Sequence, residues 1–414
     1  MGLDRFPRTT NTAPDCFSSP LSQEEVSYTL VTQCSLDRLW MMKAHCFRWG
    51  SEYPISIAVY TNETYQYVHN ILTQDCQCSS QQLTVQILSS STYPPTEYPV
   101  NVLRNMALSK IHTSHLFYTD IDFWLSADLQ NVLNMPQIKQ ALSEDAYKAV
   151  VIPAFQIYRQ CHGNELVTSD DAVVEQCETE NIQRMPETLR DMIALMKERQ
   201  LTPFDPTNRG GHFSTRYTEW PHQQAGDLLE LPCIESNRYE PYLVVRYCQH
   251  LPPFVEEFTG YGKNKMTWIM HLRRLGYQFT QLGIGFVCHY PHLDSPSRLE
   301  WNEKPKNVSP MKLQQELVKQ RKNNQHSLLR KQKDGDNHKN HDGGTNNDHH
   351  SQDQDNHKLK INWEESKRGR VDKLFVEYRH WLYTHVPDQA RTPMCEDRKE
   401  DDDWRLYIDR SSPD

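Results

Sequence analysis

The chain has 414 residues, enough for one large α/β domain with decorations or for two domains of ordinary size. Its formal net charge of −9 argues against a general nucleic-acid binder, which carries a basic stripe. No apolar run reaches the roughly 18 residues of a membrane span, and the polar start, Met1 to Ser19, lacks the apolar core of a signal peptide.

In chain order, residues 1–22 read as a polar tail. Tyr28–Gln33 is β-branched and strand-like, and Ser35 is placed to cap a helix to Arg48, with Leu36, Leu39, Trp40 and Lys43 at helical spacing. Ile55–Tyr60 and Leu83–Leu88 are short apolar runs between turn residues, hence buried strands. A helix is predicted over Val100–His112, with Val102, Leu103, Met106, Ala107 and Ile111 on one face. The strand from His115 then runs into Asp120-Ile121-Asp122. Further strands are predicted at Ala149–Phe155, Tyr242–Val245 and Gly283–Cys288, with a helix over Met266–Leu275. This alternation predicts an α/β domain over 23–303 around a mixed, mostly parallel sheet flanked by helices, with ligands at the carboxyl ends of its strands. Residues 304–361 are dominated by Gln, Asn, His, Asp and Lys, which bury too little apolar area to offset their ordering entropy, so a disordered insertion is predicted. An amphipathic helix at Val371–Tyr383, with Leu374, Phe375, Tyr378 and Leu382 as its apolar stripe, completes the domain over 362–395, before an acidic tail at 396–414.

Eleven cysteines, an odd number, imply at least one free thiol. With no CxxC pair or His/Cys zinc spacing, they point to a secretory compartment and a few disulfides.

Asp120 and Asp122, at a strand end, are the candidate metal carboxylates, since hard divalent cations prefer oxygen ligands and bridge to diphosphates. His289 ends another strand and is the candidate third ligand, with His292 its neighbour; an imidazole suits Mn2+ better than Mg2+, the alternative ion. Lys263 and Lys265 lie in a Gly-bracketed turn that opens a helix, a natural anion site, and Asn264 between them is placed with the substrate. Arg104 is expected to face the same cleft, and Arg38, just past the first strand, to meet a base or ribose. His212, Trp220 and Tyr239 are the candidates for sugar contact. Glu240 is the first candidate for the base and Glu257 the second, because a sugar hydroxyl is a poor nucleophile near neutral pH.

Taken together and in order, the stretches TLVTQCSLDRL, YPVNVLRNMAL, HLFYTDIDFWLS, VVIPAFQ, GGHFSTRYTEW, YEPYLVVR, FTGYGKNK and GFVCHYPH resemble glycosyltransferase family 49, the LARGE-type and β-1,4-glucuronyltransferase proteins that act on dystroglycan. The resemblance spans roughly residues 26–300 and extends to the 371–383 helix. It implies a Rossmann-like GT-A fold, a UDP-sugar donor, Mn2+ held by Asp120, Asp122 and His289, and inversion at the anomeric carbon. It also implies a glycan acceptor on a glycoprotein or polysaccharide, glucuronic acid as the first-choice sugar, and a type II membrane protein of the Golgi lumen, although no anchor is seen in this sequence. Four positions depart from the family pattern: Gln156 stands for a Glu, Ser214 for a Pro, Arg216 for an Asn, and Val255 for an Asp. They touch the donor and acceptor surroundings. They leave open xylose, N-acetylglucosamine or galactose as the donor sugar, and a catalytically silent carbohydrate-binding scaffold. A phosphotransferase or nuclease would need further acidic ligands and a Gly-rich phosphate loop, and neither is found.

Overall fold

The computed structural model describes residues 6, 13–16, 20–94, 97–159, 171–292, 295–302 and 366–396. Among them, twelve strands form two sheets. In chain order these are β1 (Tyr28–Ser35), β2 (Ile55–Tyr60), β3 (Leu83–Leu88), β4 (His115–Tyr118), β5 (Phe123–Leu125), β6 (Lys148–Ile152), β7 (Ala154–Ile157), β8 (Leu201–Pro203), β9 (Leu228–Glu230), β10 (Tyr242–Arg246), β11 (Gln278–Leu282) and β12 (Val287–His289). The larger sheet has the order β3-β2-β1-β4-β10-β6-β11-β9, and the smaller one β5-β12-β7-β8.

In the large sheet β3, β2, β1 and β4 are mutually parallel, as are β6 and β11. β10 is inserted antiparallel between β4 and β6, and β9 pairs antiparallel with β11 at the edge. This is the mixed, mostly parallel sheet that the sequence led us to expect. Its inner strands β2, β4, β10 and β6 are largely apolar and buried because both faces are covered, whereas the edge strand β3 is only partly buried. Side chains alternate between two cores: Leu30, Ile57, Phe117, Val150 and Val244 enter one, and Val31, Ala58, Leu116, Val151 and Val245 the other.

Two predicted strands differ from those observed. Ala149–Phe155 is two strands in different sheets, β6 and β7, divided at Pro153, which has no N–H to continue a ladder. Its carbonyl instead accepts from the N–H of Val287 at 2.9 Å. The predicted Gly283–Cys288 strand falls largely on a bend between β11 and β12. Close packing requires glycine there, because a Cβ on Gly283 would lie 2.3 Å from the Gln224 carbonyl oxygen. The helix predicted from Ser35 begins as a 3-10 turn, Leu36–Met41, and becomes α-helical over Met42–Trp49. The helix predicted at Val100–His112 ends at Leu108, and the C-terminal one is longer than predicted, Lys367–His385.

Disulfides join Cys16–Cys248, Cys46–Cys78 and Cys233–Cys395, and Cys177 is also disulfide-bonded. Cys34, Cys76 and Cys288 are buried free thiols. In the predicted N-terminal tail, Phe6 packs edge-on against Tyr378 and Trp381 at 5.3 and 5.4 Å between ring centroids. Past the C-terminal helix, Arg274 donates to the Val386 carbonyl and to Asp388, and the Thr392 hydroxyl accepts from the N–H of Phe279. The described residues 298–302 and 366–374 fall in a second unit, apart from the rest. The predicted insertion at 304–361 and nearly all of the tail predicted at 396–414 lie outside the described residues. No described helix is long and apolar enough to cross a membrane.

His45 and His115 are fully buried, and burial is the main cause that pulls them down to about 4 and about 3. The unfolded chain binds a proton at each near pH 6.5 while the folded chain does not, so acid favours unfolding. Their stabilising effect is complete above pH 6.5 and decays at about 1.4 kcal/mol per pH unit per group on acidification. The melting temperature should therefore fall steadily between pH 6.5 and 4.5 by scanning fluorimetry, and His115→Gln should flatten that slope.

Candidate active site

The parallel run β2-β1-β4 brings its carboxyl ends to one edge, and the side chains leaving that edge build a cleft. β4 stops at Tyr118, and Asp120–Asp122 form the turn into β5, closed by the bond from the Phe123 N–H to the Asp120 carbonyl at 3.0 Å. β12 pairs antiparallel with β5 so that His289 lies opposite Phe123, and the Tyr290 N–H donates to the Asp122 carbonyl at 2.7 Å. Strand pairing therefore delivers a distant histidine to the aspartate turn.

Asp122 faces this histidine side. Its Oδ2 lies 2.9 Å from His292 Nε2 and 3.8 Å from His289 Nε2, and the ligand atoms of all three residues are within 4.8 Å of one another. The His289 ring is set between Phe123 and Phe204, at 4.9 and 5.1 Å between centroids. The Arg38 guanidinium also reaches Asp122 Oδ2, at 2.9 Å.

Asp120 turns to the opposite side. Its Oδ1 accepts from Arg104 Nη2 at 3.0 Å, and its Oδ2 from the Tyr242 hydroxyl at 2.9 Å and Lys265 Nζ at 3.3 Å. The Tyr118 hydroxyl donates to it as well. Arg104 is fixed in turn by the side-chain oxygens of Asn101 and Asn264, both at 2.9 Å. Lys265 enters from the first turn of the helix Asn264–Arg274, with its ammonium 3.8 Å from the Tyr242 ring centre. The turn before it needs left-handed backbone at Gly260, Gly262 and Lys263.

Burial pushes the Asp120 carboxyl upward, but Lys265 and Arg104 outweigh it and hold the group ionised, well below the usual carboxylate range. Burial acts likewise on Asp122, and the hydrogen bond from His292, with His289 and Arg38 beside it, more than reverses it. Burial lowers His289 to about 4, against the attraction of Asp122, so its imidazole is neutral and keeps a lone pair near pH 7. An ionised carboxylate with two imidazoles is a donor set that suits Mn2+, and the two nitrogens make it a poor match for Mg2+.

The remaining predicted residues distribute as follows. Glu240 is half-buried beside this cluster, with its N–H donating to the Gly211 carbonyl at 2.8 Å. Burial raises its carboxyl; Lys265 and Arg104 pull it down, Asp120 and Asp205 push it up, and the net shift is upward. His212 is buried, held neutral at about 3 chiefly by burial, and stands 5.0 Å from the Phe204 ring. Lys263 lays its ammonium 4.3 Å over Phe375, away from Asp120. Glu257 is exposed. Trp220 and Tyr239 lie in the core: Trp220 packs on Phe155 and Phe286, and the Tyr239 hydroxyl is 2.8 Å from that of Thr215. Gln156 accepts from the N–H of Asp205 at 2.9 Å, and Asp205 has a left-handed φ of 48°.

The site thus unites Arg38, Arg104, Asp120, Asp122, Asn264, Lys265 and His289. Sequence reasoning under-weighted His292 and missed Tyr118, Tyr242 and Phe204. For the two tyrosines a signal existed, since each sits an even number of residues from a predicted site residue in an extended segment and shares its face.

Removing Arg104 would leave the partly buried Asp120 with only Lys265 as a formal counter-charge. Arg104→Met should destabilise the protein by about 2–4 kcal/mol in urea unfolding, and the double variant with Asp120→Asn should recover much of that loss.

Comparison with known proteins supplies independent information. A family model described as "Glycosyl-transferase for dystroglycan" matches residues 70–325. The mouse xylosyl- and glucuronyltransferase LARGE1 is 30% identical over 278 residues, 66% of this chain and 32% of that protein. Mouse LARGE2 is 31% identical over 275 residues, 64% of this chain and 34% of that protein. The matched region therefore spans about a third of the length of these relatives. The crystal structure of GalNAc-T7 with UDP, GalNAc and Mn2+ aligns with a TM-score of 0.36 at 11% identity, covering 67% of this chain and 48% of that one, a likeness too distant to bear on the site. Since the family model matches more than half of its residues, the chain belongs to the family of glycosyl-transferases for dystroglycan.

Proposed function

We propose that the protein is an inverting glycosyltransferase that moves a sugar, glucuronic acid as first choice, from a UDP-sugar to a hydroxyl of a glycan on a glycoprotein or polysaccharide. The observation that carries this reading is the aspartate turn at the strand ends, with a histidine donor pair on one side and a fixed cation pair on the other.

In this reading Asp122, His289 and His292 would hold Mn2+, with Asp120 adjoining them. A bound ion would supply Lewis-acid neutralisation of the departing diphosphate. Lys265 and Arg104 place two more positive charges beside the same turn, fixed before the reaction begins, so no reorganisation is needed as negative charge develops. Glu240 takes the proton from the acceptor hydroxyl. Its raised carboxyl is more basic than an exposed one, which suits a general base near neutral pH. Glu257 is exposed and is the weaker choice. A single displacement inverts the anomeric carbon. Asn264 and His212 line the sugar side in this scheme; Trp220 and Tyr239 shape it from behind.

The disulfides support an oxidising secretory compartment, and we place the protein in the Golgi lumen. A second reading, a silent carbohydrate-binding protein on the same fold, is favoured by Gln156, whose amide is engaged by the Asp205 backbone where the family pattern has a carboxylate.

Thermal shifts with UDP, GDP and CMP, each with Mn2+, separate the two readings. Ligand at 100 times its Kd adds about 2.7 kcal/mol of stability. UDP with Mn2+ should raise the melting temperature by several degrees, and Asp122→Asn should abolish both the rise and UDP-sugar turnover. A rise without turnover in the unmodified protein would favour the silent reading, and no response to any nucleotide would exclude the transferase.

A further inference from the structure

Arg38 leaves the carboxyl end of β1 and lays its guanidinium across the metal donors. Its Nη1 is 2.9 Å from Asp122 Oδ2 and 3.3 Å from His292 Nε2, and its Nη2 is 3.3 Å from His292 Nδ1. A side-chain cation therefore spans the atoms a divalent ion would use. The charges of the cleft sharpen the conflict. Asp120 is matched by Arg104 and Lys265, and Asp122 by Arg38. With the guanidinium in place the Asp122 carboxylate is already neutralised, so a bare dication gains little attraction there until Arg38 leaves.

The three cations differ in freedom. Arg104 and Lys265 have 4% and 5% of their side chains exposed, and Arg104 is locked by two asparagine oxygens. Arg38 has 22% exposed and rises from a short 3-10 turn. It is the one that can move within the cleft. Its planar fork also matches two phosphate oxygens as well as it matches a carboxylate.

Building on the transferase reading, we infer that Arg38 is an exchangeable counter-ion. It occupies Asp122 in the free protein, yields it to the divalent ion, and transfers to the diphosphate. Metal and nucleotide then bind as a coupled pair, each strengthening the other by the same factor. Neither ligand binds well alone: the metal must first displace a cation, and the diphosphate must draw Arg38 away from Asp122 without an ion to replace it.

The test is titration of Mn2+, followed by electron paramagnetic resonance of the free ion, into the intact protein with and without UDP. In the unmodified protein UDP should tighten Mn2+ binding by about tenfold or more. Arg38→Gln should tighten Mn2+ binding without UDP by about fivefold to tenfold and shrink the UDP-induced gain by a similar factor. Arg38→Lys keeps the charge and should remain near the unmodified protein. Circular dichroism checks that both variants fold. Mn2+ affinity unchanged or weaker in Arg38→Gln, or an equal gain in Arg38→Lys, would overturn the exchange while leaving the transferase reading intact. Failure of the unmodified protein to bind Mn2+ even with UDP would overturn both.

Discussion

Two partly buried carboxylates two residues apart would repel each other and resist ionisation unless cations were brought to them. Much of the site's construction answers that requirement. The helix Val100–Leu108 brings Arg104, the helix Asn264–Arg274 brings Lys265, and the 3-10 turn after β1 brings Arg38. The same turn of chain that concentrates negative charge thereby fixes the placement of three separate elements. It also divides the cleft: Asp120 pairs with two deeply buried cations, the immobile side, and Asp122 with a more exposed one, the movable side of the proposed exchange, and with two histidines.

This division suits group transfer with a charged leaving group. The immobile side offers preorganised positive charge that need not rearrange during reaction. The movable side offers donors that can be exchanged between a side chain and an ion. Glu240, raised by its surroundings, stands near the immobile side, so a more basic carboxylate and two more acidic ones coexist in one cleft through differences in local surroundings and not in chemistry.

Local pattern carried much of this into the sequence. The bounds of Ile55–Tyr60 and Leu83–Leu88 were legible to the residue, because apolar runs between turn residues have few alternative uses, but the second lies at the sheet edge and is only partly buried. Strand neighbours were not legible: nothing in Tyr242–Arg246 announces that it enters antiparallel between β4 and β6, since orientation is decided by pairing partners. Pro153 and Gly283 misled in opposite ways. One divided an apolar run that looked continuous, and the other supplied a close approach inside a run that looked extended. For the site, Asp120, Asp122 and His289 were found at strand ends. That Asp120 turns from the histidines towards Arg104 and Lys265 is set by tertiary packing, and His292 gains its place only because β12 pairs with β5.

The central claim is that Asp122 and its histidines form a metal centre for a nucleotide-sugar donor. The most direct measurement is anomalous diffraction at the manganese edge from crystals grown with Mn2+ and UDP. The account predicts a single strong peak in contact with Asp122 and His289, with the UDP diphosphate beside it and Arg38 released from Asp122. A cleft that binds UDP with no manganese peak, and with Arg38 still paired to Asp122, would contradict it.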